Sequence, residues 1–296
     1  MKTLIILCSF LALQTCNQTK NEQKTEKNTS VEYREAVVPN SEKENSFPSK
    51  TNDENQPLSI DSNKSHKVLQ DTILINIQEK ITTASYDGFA KRNTKKLDEV
   101  EGFLDSNKTE NENLKNYWIA YINYYKTIIA MQLKDKDLGS KSNKKGIDLL
   151  ENHQNKNSDD YALLALLKGM SYPFVSGMEA PAISKDINKY LEKGIEADDK
   201  NFRVYYAQGS IDFYTPKEYG GGTKAESALL KAINLPEKNK ANSQLPTWGK
   251  EEAYDLIIRF YLRENQKDKA KTYFDKAKQL FPDSYIIQMH QSNFKS

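Results

Sequence analysis

A chain of 296 residues is too long for one small domain and suits one extended domain with accessory segments. Its formal charge of +2 comes from 43 basic against 41 acidic residues, a balance that argues against a nucleic-acid binder, which would carry a basic stripe. The scattered histidines (His66, His153, His290) offer no paired metal-ligand spacing and no HExxH, and no GxSxG is present, so the expectation is a protein without catalysis, metal or cofactor.

The chain opens with Lys2, an apolar run from Thr3 to Leu13, and then Leu13-Gln14-Thr15-Cys16. The run is too short to span a bilayer, so residues 1–15 read as a signal peptide. A cysteine closing such a run resembles the lipobox of bacterial lipoproteins. That resemblance implies removal of the signal and lipid attachment at Cys16. The protein would then sit in the cell envelope, on the periplasmic side or the outer membrane, held by acyl chains that contribute about 0.8 kcal/mol per buried CH2. An ordinary cleaved secretory signal, giving a soluble secreted or periplasmic protein, is the alternative. Cys8 is the only other cysteine, and processing at Cys16 removes it. No thiol is then left for a disulfide, a thiolate metal site or a nucleophile.

Residues 16–67 carry that cysteine and a polar stretch, Asn17 to His66, rich in Asn, Lys, Glu, Ser, Thr and Gln with scattered Pro. With almost no apolar periodicity it cannot offset its ordering entropy, and it reads as a disordered tether. As a flexible coil its reach is on the order of 40 Å.

Helical order is expected over 68–296. Val68, Ile73, Ile77 and Ile81 recur at helical intervals and Phe89 follows, with a break at Gly88 to Asn93. Thr94 is placed to cap a helix over Lys95 to Leu104, whose inner stripe is Leu97, Val100, Phe103 and Leu104. A long aromatic helix follows from Asn113 to Leu133, then a short partner from Gly146 to Glu151. Ser158-Asp159 opens another helix over Tyr161 to Tyr172.

Four helix pairs can be laid over one another. In the last, Tyr254 to Pro282, the order is Y-x2-II-x2-Y, then Ala270, Phe274, Ala277 and Pro282, the spacing of a tetratricopeptide repeat (TPR). In the pair before it, Tyr205, Gly209, Ala225, Leu229 and Ala232 match, with an inserted loop from Tyr214 to Gly222. Before that, Gly169, Tyr172, Leu191 and Gly194 match around a long loop from Pro173 to Pro181. In the first pair Trp118, Ile122 and Tyr125 keep the first-helix spacing, and Gly146, Leu150 and Ser158 the second. Small residues such as Gly209, Ala225, Ala232 and Ala277 permit close helix approach. Tyr261 and Phe274 fill the grooves, and Pro282 stops a helix because it lacks an N–H. Asp283 to Phe294 reads as a capping helix. One helix pair cannot bury its own apolar face, so the fold class expected is all-α: a TPR-like right-handed superhelix of helix-turn-helix pairs, an α-solenoid.

Three segments are candidates for binding. The turn Gly220, Gly221, Gly222, Thr223, Lys224 precedes a helix, and its successive N–H groups suit an anion, though glycines that supply positive φ for a tight turn explain it equally. Trp248, in Pro246-Thr-Trp-Gly-Lys250, is expected to pack on that glycine-rich loop, with recognition of a partner as the alternative. Acidic pairs such as Asp159-Asp160 and Glu251-Glu252 sit at helix starts, where they favour the dipole. First helices line the groove of a TPR array, and the face beside their packing stripe carries Arg203, Tyr206, Ser210, Phe213, Asp255, Arg259 and Arg263. Tyr and Arg dominate binding hot spots, so these seven form the expected partner-binding groove.

The stretches Phe202 to Tyr214, Ala225 to Ile233 and Pro246 to Lys250, leading into the last repeat, together resemble a group of bacterial TPR envelope proteins that carries no assigned activity. The resemblance implies fold and compartment only. A weaker similarity links the chain to the periplasmic T component of TRAP transporters, through the lipobox-like start and the Gly-Gly turn before a repeat helix. The function expected is a membrane-anchored, non-catalytic scaffold that captures a protein or peptide in its groove. The alternatives are a ligand-handling accessory of a solute transporter and an array that only spaces other components.

Overall fold

The computed structural model describes residues 72–238 and 242–294. The predicted signal peptide, Cys16 and the tether lie outside the described residues. Within them the fold is all-helical, with eleven α-helices and no strand. Ten of the helices form five consecutive antiparallel hairpins: α1 (Ile77–Lys91) with α2 (Lys95–Ser106), α3 (Glu112–Leu133) with α4 (Lys136–Glu151), α5 (Ser158–Gly169) with α6 (Ala180–Ala197), α7 (Phe202–Tyr214) with α8 (Ala225–Asn234), and α9 (Lys250–Arg263) with α10 (Lys267–Leu280). The short α11 (Tyr285–Gln288) and a 3-10 turn (Met289–Phe294) close the C-terminal end on α9 and α10.

Local chemistry sets these boundaries. Asn111, Asp135, Asn157 and Asn201 each accept a backbone N–H with their side chain at the start of α3, α4, α5 and α7, relieving donors that the first turn leaves without partners. Thr94 precedes α2 as expected, but its hydroxyl donates to Asp98 rather than accepting a helix N–H. The three tight hairpins turn through one left-handed residue each: Arg92 at φ 57°, Lys134 at φ 59° and Asn265 at φ 56°. The other two hairpins carry the long loops instead.

Each hairpin packs on the next. First helix meets first helix (α1 on α3, α3 on α5, α5 on α7, α7 on α9), and each second helix meets the following first helix. The small residues act where close approach is needed. A Cβ at Gly209 would lie 2.7 Å from Cγ of Leu229, so α7 and α8 can touch only there with glycine, and Ala225, Ala232, Ala270 and Ala277 are fully buried. One nonpolar interior runs from Ile73 to Ile287. α5 is buried almost all round, through Ala162, Leu163, Leu164, Ala165, Leu166 and Leu167, which makes it the central helix. Glu101 locks the first hairpin to the second, accepting from Lys126 (2.7 Å), Lys145 (2.6 Å) and Asn123 (2.8 Å).

Several details differ from the sequence reading. The hairpin α1–α2 joins the stack, giving five hairpins rather than four. α4 begins at Lys136 instead of Gly146, because Gly139, Ser142 and Asn143 are buried although none of them is apolar. Asn143 donates to the Leu167 carbonyl at 2.8 Å, replacing apolar contact with a hydrogen bond. Ser158 opens α5 and is not part of α4; its hydroxyl reaches the Gly194 carbonyl at 2.8 Å. Phe103, placed on the inner stripe of α2, is 43% exposed, with the Lys80 ammonium over its ring.

Candidate functional site

First helices of four hairpins surround one cavity of about 520 Å3. Helical spacing places the side chains. On α1 the residues are Gln78, Thr82 and Tyr86; on α3, Tyr121, Tyr124 and Tyr125; on α7, Tyr206, Ser210 and Tyr214; on α9, Glu251, Glu252 and Asp255. Phe281 and Ile286 close the C-terminal side, so the two ends of the hairpin series meet around one space.

The described parts of the connection between α8 and α9, residues 235–238 and 242–249, form the remaining wall through Glu237, Thr247 and Trp248. They cross to the first two hairpins. Gln78 donates to the Thr247 hydroxyl at 3.0 Å and accepts the N–H groups of Thr247 and Trp248 at 2.7 and 3.2 Å. The Asn76 N–H reaches the Ser243 carbonyl, and the Trp118 indole N–H reaches the Gln244 carbonyl. Trp248 does pack, but on α3 and α7 rather than on the glycine-rich loop. Its ring stacks on Tyr121 at 5.3 Å, meets Tyr206 edge-on at 6.0 Å, and donates its N–H to the Tyr117 hydroxyl at 2.8 Å.

The seven groove residues divide into three sets. Tyr206, Ser210 and Asp255 line the cavity. Arg203 lies behind the α8–α9 connection, paired with Asp159 at 2.7 Å and stacked on Phe202 at 4.7 Å. Phe213, Arg259 and Arg263 form a separate ladder, with the two guanidinium groups 5.3 and 4.1 Å from the Phe213 ring. Arg259 also donates to the Tyr214 hydroxyl at 2.7 Å, and Asp255 meets His290 Nε2 at 2.7 Å. Arg203, Tyr206, Ser210, Phe213 and Asp255 are at most 6% exposed, and only Arg263 reaches 36%. Of this set, the cavity presents only Tyr206, Ser210 and Asp255 to a partner.

The glycine turn is used differently from the anion reading. Gly220 and Gly222 take φ of +84° and +79°, but the Asp212 carboxylate accepts the N–H groups of Lys224 and Ala225 at 2.8 and 2.7 Å, and the Gly222 N–H goes to the Asp212 carbonyl. The donors that would face an outside anion hold an internal one. Gly221 is fixed by space, since a Cβ there would fall 1.8 Å from the Thr215 carbonyl oxygen.

Glu252 is the residue that sequence reasoning missed. By position it is a helix-start acid, and it does accept the Gly249 N–H at 2.8 Å. It also stands among tyrosines. Burial first, and then the neighbouring Glu251 carboxylate, push it up to about 7. Glu251 is raised as well, mainly by burial, and accepts from the Ser284 hydroxyl. Burial also raises the phenols of Tyr121, Tyr124, Tyr125 and Tyr206, so they stay neutral at physiological pH. The available signal was that Glu252, Asp255, Leu256 and Arg259 share one helix face by their i, i+3, i+4, i+7 spacing.

Among the described residues no group of three or more His, Cys, Asp or Glu is arranged to hold a metal, and no helix is long and apolar enough to cross a membrane. No protein family, curated protein or solved structure matches the chain.

Proposed function

We propose that this chain is a non-catalytic ligand-binding protein of the bacterial cell envelope. Cys16 carries its lipid, residues 17–66 tether it, and a TPR-like superhelix of five hairpins folds its concave face around a small-molecule pocket. The observation that carries this reading is the course of the α8–α9 connection, which crosses the face that the first helices line and ties α1 and α3 to it through Gln78 and Trp118. A peptide lying along the groove would have to displace that connection. This favours a ligand-handling role, such as an accessory to a solute transporter, over an open scaffold for protein partners. The cavity's volume lies in the range of sites that enclose small ligands. The nearest-neighbour packing and the recurring left-handed turns support the TPR-like reading.

Native mass spectrometry of the chain after exposure to a cell extract tests the proposal. A retained mass of small-molecule size is expected in the wild type and absent in Ser210→Phe, which fills the cavity. Loss of a protein or peptide partner instead, with no small ligand in either form, would return the groove to the scaffold reading.

A further inference from the structure

The carboxylates of the cavity wall point to a ligand class. Among the described residues Glu251, Glu252 and Asp255 line it beside the Lys250 ammonium. The Lys250 ammonium is directed at the carbonyl oxygens of Ala232, Ile233 and Leu235, where it closes the C-terminal end of α8. Asp255 is matched by His290 and Arg259. Glu251 and Glu252 accept only from Ser284 and from the Gly249 backbone, and neither has a cation within ion-pair distance among the described residues. Both are half-buried, and drawing a carboxylate part-way out of water without a counter-charge has a cost that a bound cation relieves.

The aromatic residues point the same way. Their hydroxyls are largely engaged with one another or with the protein: Tyr121 with Tyr125 at 3.1 Å, Tyr124 with Tyr206, and Tyr214 with Arg259. What remains for a ligand is ring face, which carries the negative end of the aromatic quadrupole. An anion would meet carboxylates and ring faces together. A cation gains from both.

Resting on the reading of this cavity as a ligand site, we propose that it takes a small organic cation, an alkylated ammonium on an apolar body. Its charge sits between the Glu252 carboxylate and the faces of Tyr124 and Tyr206. The apolar body lies toward Phe281 and Ile286.

Calorimetric titration of the full chain with choline, and with its uncharged carbon isostere 3,3-dimethylbutan-1-ol, tests this. Choline is expected to bind saturably, at least about tenfold tighter than the isostere, and to change the fluorescence of Trp248. Glu252→Gln keeps an acceptor for the Gly249 N–H and is expected to lower choline affinity about tenfold while leaving the isostere unchanged. Tyr206→Leu, checked for fold by circular dichroism, is expected to weaken choline more than the isostere. Equal affinity for the two probes overturns the cation assignment, as does indifference of choline to Glu252→Gln or a failure of choline to bind. If any of these results accompanies a small ligand that the wild type retains and Ser210→Phe loses, the cavity reading stands and only the ligand class falls.

Discussion

The connections that precede and follow α8 satisfy their polar groups in opposite ways. In the first, between Thr215 and Lys224, the partners are near in sequence: Asp212 for Gly222, Lys224 and Ala225, Pro216 for Gly221, and Gly220 for Thr223. In the second, between Leu235 and Gly249, local bonds such as those of Gln244 and Leu245 to Asn242 are joined by bonds to Asn76, Gln78, Tyr117 and Trp118, more than a hundred residues away. Every buried backbone group needs a partner, and a loop can find it within itself or across the molecule. The glycine-rich loop, conspicuous in the sequence, closes on itself. The loop of ordinary composition builds the cavity wall.

The sharpest way to break this contrast is Trp248→Ala. It removes the stack on Tyr121 and leaves the Tyr117 hydroxyl without its donor, and it should cost about 3–5 kcal/mol by chemical denaturation. Next comes pH. Glu252 is raised to about 7, so between the ordinary glutamate value of 4.5 and 7 the folded chain holds a proton that the unfolded chain has lost. That contribution to stability is present at low pH, falls by up to about 1.4 kcal/mol per pH unit across the window, and is flat above it. Glu252→Gln should therefore gain stability relative to wild type from pH 5 to pH 7.5, and unfolding curves at those two values measure the difference. Gln78→Ala strands the N–H groups of Thr247 and Trp248 and should cost about 1–3 kcal/mol, with faster hydrogen exchange along the α8–α9 connection. Asp212→Ala should cost about 1 kcal/mol, confined to the start of α8, and Asp212→Asn should lose less.

The same division governs what could be read from the chain. The last hairpin was legible because its Ala, Phe and Pro spacing is local and its close contacts need small residues at fixed intervals. The first half of α4 is not legible in the same way, because Gly139, Ser142 and Asn143 are buried by hydrogen bonding and close approach rather than by apolar character. Phe103 satisfied the periodicity yet faces outward, since α2 needs only Leu97 and Leu104 fully inside. At the site, the expected groove set includes three residues of the cavity wall, Tyr206, Ser210 and Asp255, but not the wall's enclosure. Nothing in residues 235–249 announces contact with residues some 170 positions earlier, as Gln78 to Trp248 spans. Glu252 looked like one more helix-start acid because its capping bond is real, and only the juxtaposition of α3 and α7 gives it a second role.

In a linear stack of repeats each unit leans on its immediate neighbours, and the ends fray independently. The bond from Gln78 to Thr247 makes this stack a closed loop of dependence, in which the first unit cannot loosen without releasing the strap that holds the last. Such a molecule should melt as one body rather than peel from a terminus. Its folding should also wait on an encounter between chain segments made far apart in time, which gives the ribosome-bound intermediate an open, unsealed interior until the final quarter of the polypeptide has emerged.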